Sequence, residues 1–124
     1  MALTTAEFTK DFARDMSLET DAGIAGVKNI RNGACTLWNF SLDNKQTSHA
    51  YCSLKIYDHD GDGWVAGTTQ PDIIIPVPDN VYMDVDIAEG FALSEGLTIA
   101  AATQDGATLT NDPAGNLLAN ILTS

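Results

Sequence analysis

No lysine or arginine follows Lys55 in this chain of 124 residues. The six bases, Lys10, Arg14, Lys28, Arg31, Lys45 and Lys55, are balanced by six acids over residues 1–55: Glu7, Asp11, Asp15, Glu19, Asp21 and Asp43. The other eleven acids, and hence the whole net charge of −11, fall in residues 56–124. Binding DNA or RNA requires basic groups that displace counterions from the phosphates, and more than half the chain supplies none. A nucleic-acid partner is therefore excluded, and an anionic membrane surface for the same reason. Three readings of the acidic surplus stay open: solubility, a calcium-binding surface, or a surface matched to a basic protein.

Cysteine is almost as scarce. Cys35 and Cys52 are the only two, with no C-x-x-C and no histidine at metal-site spacing, so we expect free thiols and a reducing site of synthesis. No apolar run approaches the ~18 residues of a membrane span. The opening residues, Met1 to Glu7, lack the basic and apolar regions of a secretory signal, and none is expected. Catalytic motifs are missing too: there is no P-loop, no G-x-G-x-x-G and no H-E-x-x-H. His49 and His59 have no serine or cysteine beside them in a nucleophile motif. Many carboxylates are present, but abundance does not make a glycosidase pair. The chain reads as a protein that is not an enzyme.

Hydrophobic residues make up 44% of the chain, enough for one domain with a real core. Phe8, Phe12 and Met16 recur at helical spacing, and Thr4 or Thr5 can cap, so residues 5–16 are expected as a helix. From about residue 24 the pattern is β. Asn32-Gly33 signals a hairpin between strands at 24–31 and 34–43. Residues 49–57 alternate, with Ala50, Cys52, Leu54 and Ile56 inward and Tyr51, Ser53 and Lys55 outward. A hairpin closed at 43–48 would join these two strands. A short run at 72–77, interrupted by Pro76, suits a sheet edge. Residues 80–87 alternate most cleanly, with Val81, Met83, Val85 and Ile87 inward and Tyr82, Asp84 and Asp86 outward. An apolar strand over 97–103 follows. Six or seven strands about a dozen residues apart predict an antiparallel sandwich or barrel. Leu117, Leu118, Ile121 and Leu122 then end the chain at spacing compatible with a helical turn, on a segment that either packs back or reaches a neighbouring subunit. The expected organisation is an N-terminal helical arm over 1–22, a β core over 23–104 and a C-terminal tail over 105–124, in one domain.

The sharpest local motif is Asp58-His59-Asp60-Gly61-Asp62-Gly63-Trp64. D-x-D-x-D-G opens an EF-hand loop, yet the twelfth position is Thr69 instead of a bidentate glutamate, and the flanks read as strands. An EF-hand is excluded. Asp58, Asp60 and Asp62 remain candidate calcium ligands in a looser loop, and calcium is the one candidate cofactor. The alternative is an acidic turn that binds nothing, since aspartate and glycine are good turn formers.

Four blocks follow one another along the β region. They are Gly33-Ala-Cys-Thr-Leu-Trp38-Asn-Phe-Ser-Leu-Asp43-Asn44, Ala50-Tyr-Cys-Ser-Leu-Lys-Ile-Tyr57-Asp58, Gly67-Thr-Thr-Gln-Pro71-Asp72-Ile-Ile-Ile-Pro76-Val-Pro78 and Gly90-Phe-Ala-Leu-Ser-Glu-Gly96-Leu-Thr-Ile-Ala-Ala100. In this order, over residues 33–103, they resemble small virion structural proteins of tailed bacteriophages, of the capsid cement or decoration kind. The resemblance implies an all-β, antiparallel β-sandwich of jelly-roll type on the outer face of the head shell. It implies the major capsid protein and further copies of itself, as a homotrimer, for partners, with synthesis in the host cytoplasm. The acidic loop at 58–64 departs from the family pattern. Phe8, Phe12 and Met16 at one end, and Leu117, Leu118, Ile121 and Leu122 at the other, are the expected partner-binding residues. The alternative is a neck, tail or fibre module that binds carbohydrate or calcium, with Tyr51, Tyr57, Trp64 and Tyr82 available for sugar stacking.

Overall fold

The structure is a computed structural model that describes residues 15–19, 22–45, 50–103, 106, 108–110, 112–113 and 117–124. Among the described residues there are eight strands and no helix: β1 (Asp15–Glu19), β2 (Val27–Asn32), β3 (Cys35–Asp43), β4 (Cys52–Asp58), β5 (Ile73–Val77), β6 (Tyr82–Leu93), β7 (Gly96–Ala102) and β8 (Leu118–Thr123). They form two antiparallel four-stranded sheets, one in the order β1-β8-β3-β6 and the other β2-β7-β4-β5.

The pairing is nested. β1 pairs with β8, β2 with β7, β3 with β6 and β4 with β5. The chain is thus one long hairpin doubled back at the loop between β4 and β5. Two further pairings, β3 with β8 and β4 with β7, join these ribbons into the sheets. This corrects both hairpins expected from the sequence. Asn32-Gly33 carries the chain from one sheet to the other, with Gly33 N donating to Glu95 O at 2.9 Å. The 43–51 connection does the same between β3 and β4. Cys35 accordingly lies opposite Leu93 and Cys52 opposite Val77.

Most of the expected helix lies outside the described residues. Met16, its last apolar member, is in β1 opposite Leu122. The expected C-terminal tail contributes β8, an interior strand between β1 and β3. Leu117, Ala119 and Ile121 alternate inward there and are fully buried. A strand flanked on both sides satisfies its backbone donors and acceptors through two ladders, which a lone helical turn could not do.

Side chains from both sheets join one apolar core, including Leu37, Phe40, Leu42 and Ile121 from the first sheet and Leu54, Ile56, Val77 and Ile99 from the second. Each fully buried Leu or Ile contributes ~1.5–3 kcal/mol. A second, smaller cluster lies on the far side of β4 and β7: Tyr57, Trp64, Ala100, Ala102 and Leu109. It explains why β7 is buried along its whole length and β4 up to Tyr57. Both faces of these strands are covered, so alternation of inward residues does not imply exposure of the others.

Candidate functional site

The acidic loop is tied down at its neck. Asp72 Oδ2 accepts the Asp58 backbone N–H at 2.6 Å, and Asp72 N donates to Ile56 O at 2.9 Å. Within the loop, Asp60 Oδ1 accepts the Asp62 N–H and His59 Nδ1 accepts the Gly61 N–H, both at 2.9 Å. These are local aspartate and histidine turns. Trp64 folds back from the loop onto Tyr57, edge to face, with ring centroids 5.5 Å apart. Its ring also lies over Gly26, where a Cβ would sit 2.7 Å from Cη2. Gly26 has φ +73°, so glycine serves there both for its conformation and for the ring's close approach.

Asp58 is engaged with a different loop. Its Oδ2 accepts the backbone N–H and the hydroxyl of Ser94, each at 3.0 Å. Its Oδ1 accepts the N–H groups of Glu95 at 2.8 Å and Gly96 at 3.3 Å. Partial burial pushes the Asp58 carboxyl up, but these hydrogen bonds outweigh it and hold the carboxyl below its ordinary range. Both oxygens therefore face donors in the β6–β7 turn. Asp60 and Asp62 stand apart from it on the exposed loop. Among the described residues no three His, Cys, Asp or Glu side chains are grouped to hold a metal.

The four aromatic residues named for sugar stacking divide into a buried pair and an exposed pair. Tyr57 and Trp64 are buried against one another, while Tyr51 and Tyr82 are exposed. Burial pushes the Tyr57 hydroxyl up to about 12. Lys55, expected outward, is fully buried and donates from Nζ to Thr108 O. Both cysteines are free and buried. Burial pushes Cys52 up to about 11; Cys35 is also raised, by desolvation first, with Arg31 lowering it and Asp58 adding to the rise. A raised thiol is a poor nucleophile. An open depression of about 510 Å³ beside Cys35, Asp58 and Ser94 therefore has neither an activated thiol nor an uncommitted carboxylate.

The first sheet presents a different surface. Its outward positions follow from the register: Asn39 opposite Asp86, Ser41 opposite Asp84 and Asp43 opposite Tyr82 on β3 and β6. Asn39 Nδ2 donates to Asp84 Oδ1 at 3.1 Å. On β8 and β1 the same face carries Leu118, Leu122 and Met16, the last 60% exposed. Half-buried Trp38 donates from Nε1 to Ser124 Oγ at 2.8 Å, and its ring lies against Gly90, leaving no room for a Cβ free of Thr36 and the indole. The seven expected partner-binding residues thus separate. Phe8 and Phe12 lie outside the described residues, Leu117 and Ile121 are in the core, and Met16, Leu118 and Leu122 share this outer face. The sequence did not reveal that face, because it is assembled from strands far apart in the chain.

No family model matches the chain, and no curated protein matches it.

Proposed function

We propose that this chain is a structural protein of a bacteriophage virion, a capsid cement or decoration protein with a jelly-roll β-sandwich that binds the outer face of the head shell and stabilises it. The strand order carries the reading. Sheets ordered 1-8-3-6 and 2-7-4-5 are what a jelly roll produces when a doubled hairpin is wound up. Jelly rolls recur in viral capsid, lectin and cupin proteins. Among the described residues no three His, Cys, Asp or Glu side chains are grouped as a cupin's metal site groups them. The four sequence blocks over 33–103 favour the virion member of that set.

The chemistry fits the role. A cement protein stabilises a shell by burying area between subunits, without reactive groups. Self-association as a homotrimer and contact with the major capsid protein belong to the same reading. So does a place on the capsid exterior, with the acidic sheet kept from the genome.

Quantitative mass spectrometry of purified virions tests the proposal. The expected result is a copy number comparable to that of the major capsid protein. A handful of copies per particle would move the chain to the neck or tail, and its absence from particles would overturn the reading.

A further inference from the structure

We infer that the outer face of the β1-β8-β3-β6 sheet is the docking surface, and that its occupant is a protein surface bearing lysine or arginine. The inference rests on the virion reading for the identity of the partner, but not for the surface itself.

Charge is divided between the two sheets. The four strands of the first sheet contain Asp15, Glu19, Asp43, Asp84, Asp86 and Glu89 and not one lysine, arginine or histidine. All three strand bases, Lys28, Arg31 and Lys55, are in the other sheet, whose only strand acid is Asp58. The second sheet is covered on its far side at β4 and β7 by Trp64 and Leu109. On the first sheet, Tyr82, Asp84 and Asp86 of β6 are exposed and alternate with half-buried inward residues. Its surface therefore combines an acidic row (Asp43, Asp84 and Asp86) with an apolar margin at Met16 and Leu122 and the half-buried indole of Trp38. Such a mixture of apolar contact and one sign of charge suits a macromolecular partner of opposite sign.

The charge also decides between occupants. A second copy docked through the same face would set acid against acid. Its other sheet includes Lys28 and Arg31 in β2, but they belong to a chain of net charge −11 whose exposed loop residues include Asp60, Asp62 and Asp72, so a second copy is repelled overall. Nucleic acid and anionic lipid are repelled for the same reason. A basic protein surface satisfies both halves of the face.

The test uses the whole ¹⁵N-labelled chain and a ten-residue peptide of alternating lysine and leucine as the probe. Wild type, Asp84→Lys/Asp86→Lys and Asp62→Lys are compared, after circular dichroism shows that each is folded. The expected amide shifts centre on β3, β6 and β8. The double variant should bind about tenfold more weakly or worse, and Asp62→Lys should bind like wild type. Shifts centred on the 59–72 loop, or a double variant that binds as well as wild type, overturn the surface assignment. The same three proteins are then added to particles assembled without the chain. Wild type that takes the peptide on this face but never joins particles overturns the virion reading and leaves the surface standing. Wild type and double variant joining particles equally keeps the virion reading and overturns the surface.

Discussion

The carboxylate of Asp58, at the end of β4, receives both the backbone N–H and the hydroxyl of Ser94, a residue 36 positions later at the turn between β6 and β7. That contact fastens the β4 end of the second sheet to the β6 end of the first. Removing the charge leaves up to four donors short of an acceptor. Hydrogen bonds to a charged group contribute about 1.5–3 kcal/mol each when measured singly, and neighbours in one network do not add. We expect Asp58→Ala to lower stability by about 2–3 kcal/mol in urea denaturation at pH 7. The carboxyl sits below its ordinary range when folded, so its stabilisation is complete above the unfolded value of about 3.9 and is lost as pH falls through the folded value. Asp58→Asn should flatten the acid limb of the stability profile; an unchanged limb would contradict the assignment.

Calcium at millimolar concentration should leave the melting temperature of wild type unchanged. The Asp58 oxygens already face N–H and O–H donors, and Asp60 Oδ1 accepts the Asp62 N–H. Calorimetric binding heat would show that the loop rearranges around an ion.

Trp64 fixes the cover of the second sheet. Gly26→Ala introduces a Cβ 2.7 Å from its ring at a backbone of φ +73° and should cost more than the ~1 kcal/mol of an unfavourable left-handed alanine alone. Trp64→Ala should cost about 3–5 kcal/mol, by loss of the ring from the Tyr57 and Leu109 cluster. A cost below 1 kcal/mol for both, by chemical denaturation, would mean the cover contributes little.

Ile121 and Met16 bracket the C-terminal question. Ile121→Ala should destabilise by about 2–5 kcal/mol, because the side chain is in the core. Met16→Ala should stay within about 0.5 kcal/mol, because its side chain is largely exposed. Equal effects would contradict the placement of β8.

The thiols should resist modification. Burial disfavours the thiolate at both positions, with Cys52 raised to about 11. At pH 8 an alkylating reagent should label neither cysteine until the protein unfolds, as read by intact mass.

What the sequence disclosed follows the physics of covering. β6 was legible because one face is open and one is buried, so Met83, Val85 and Ile87 alternate with Tyr82, Asp84 and Asp86. β4 was legible as a strand but not in its exposure. Ser53, Lys55 and Tyr57 are buried: Lys55 reaches Thr108 O, far along the chain, and Trp64 of the following loop packs on Tyr57, so that tryptophan was the one local hint. β8 was legible as a segment that packs back or reaches a neighbour, but not as a strand, because Leu117, Leu118, Ile121 and Leu122 fit a helical turn as well. Ala119 and Thr123, small or polar, complete the two-residue period and are buried. The hairpins failed because a turn signal such as Asn32-Gly33 marks a reversal without saying which sheet receives the next strand. The acidic face was invisible until the nested pairing brought β3 and β6 together.

A cryo-EM map of the particle is the most direct measurement. The account predicts this fold on the outside of the head, in many copies, with Asp84, Asp86 and Trp38 turned toward lysine or arginine side chains of the shell. A map that places the chain elsewhere, or seats it with that sheet facing solvent, would contradict it.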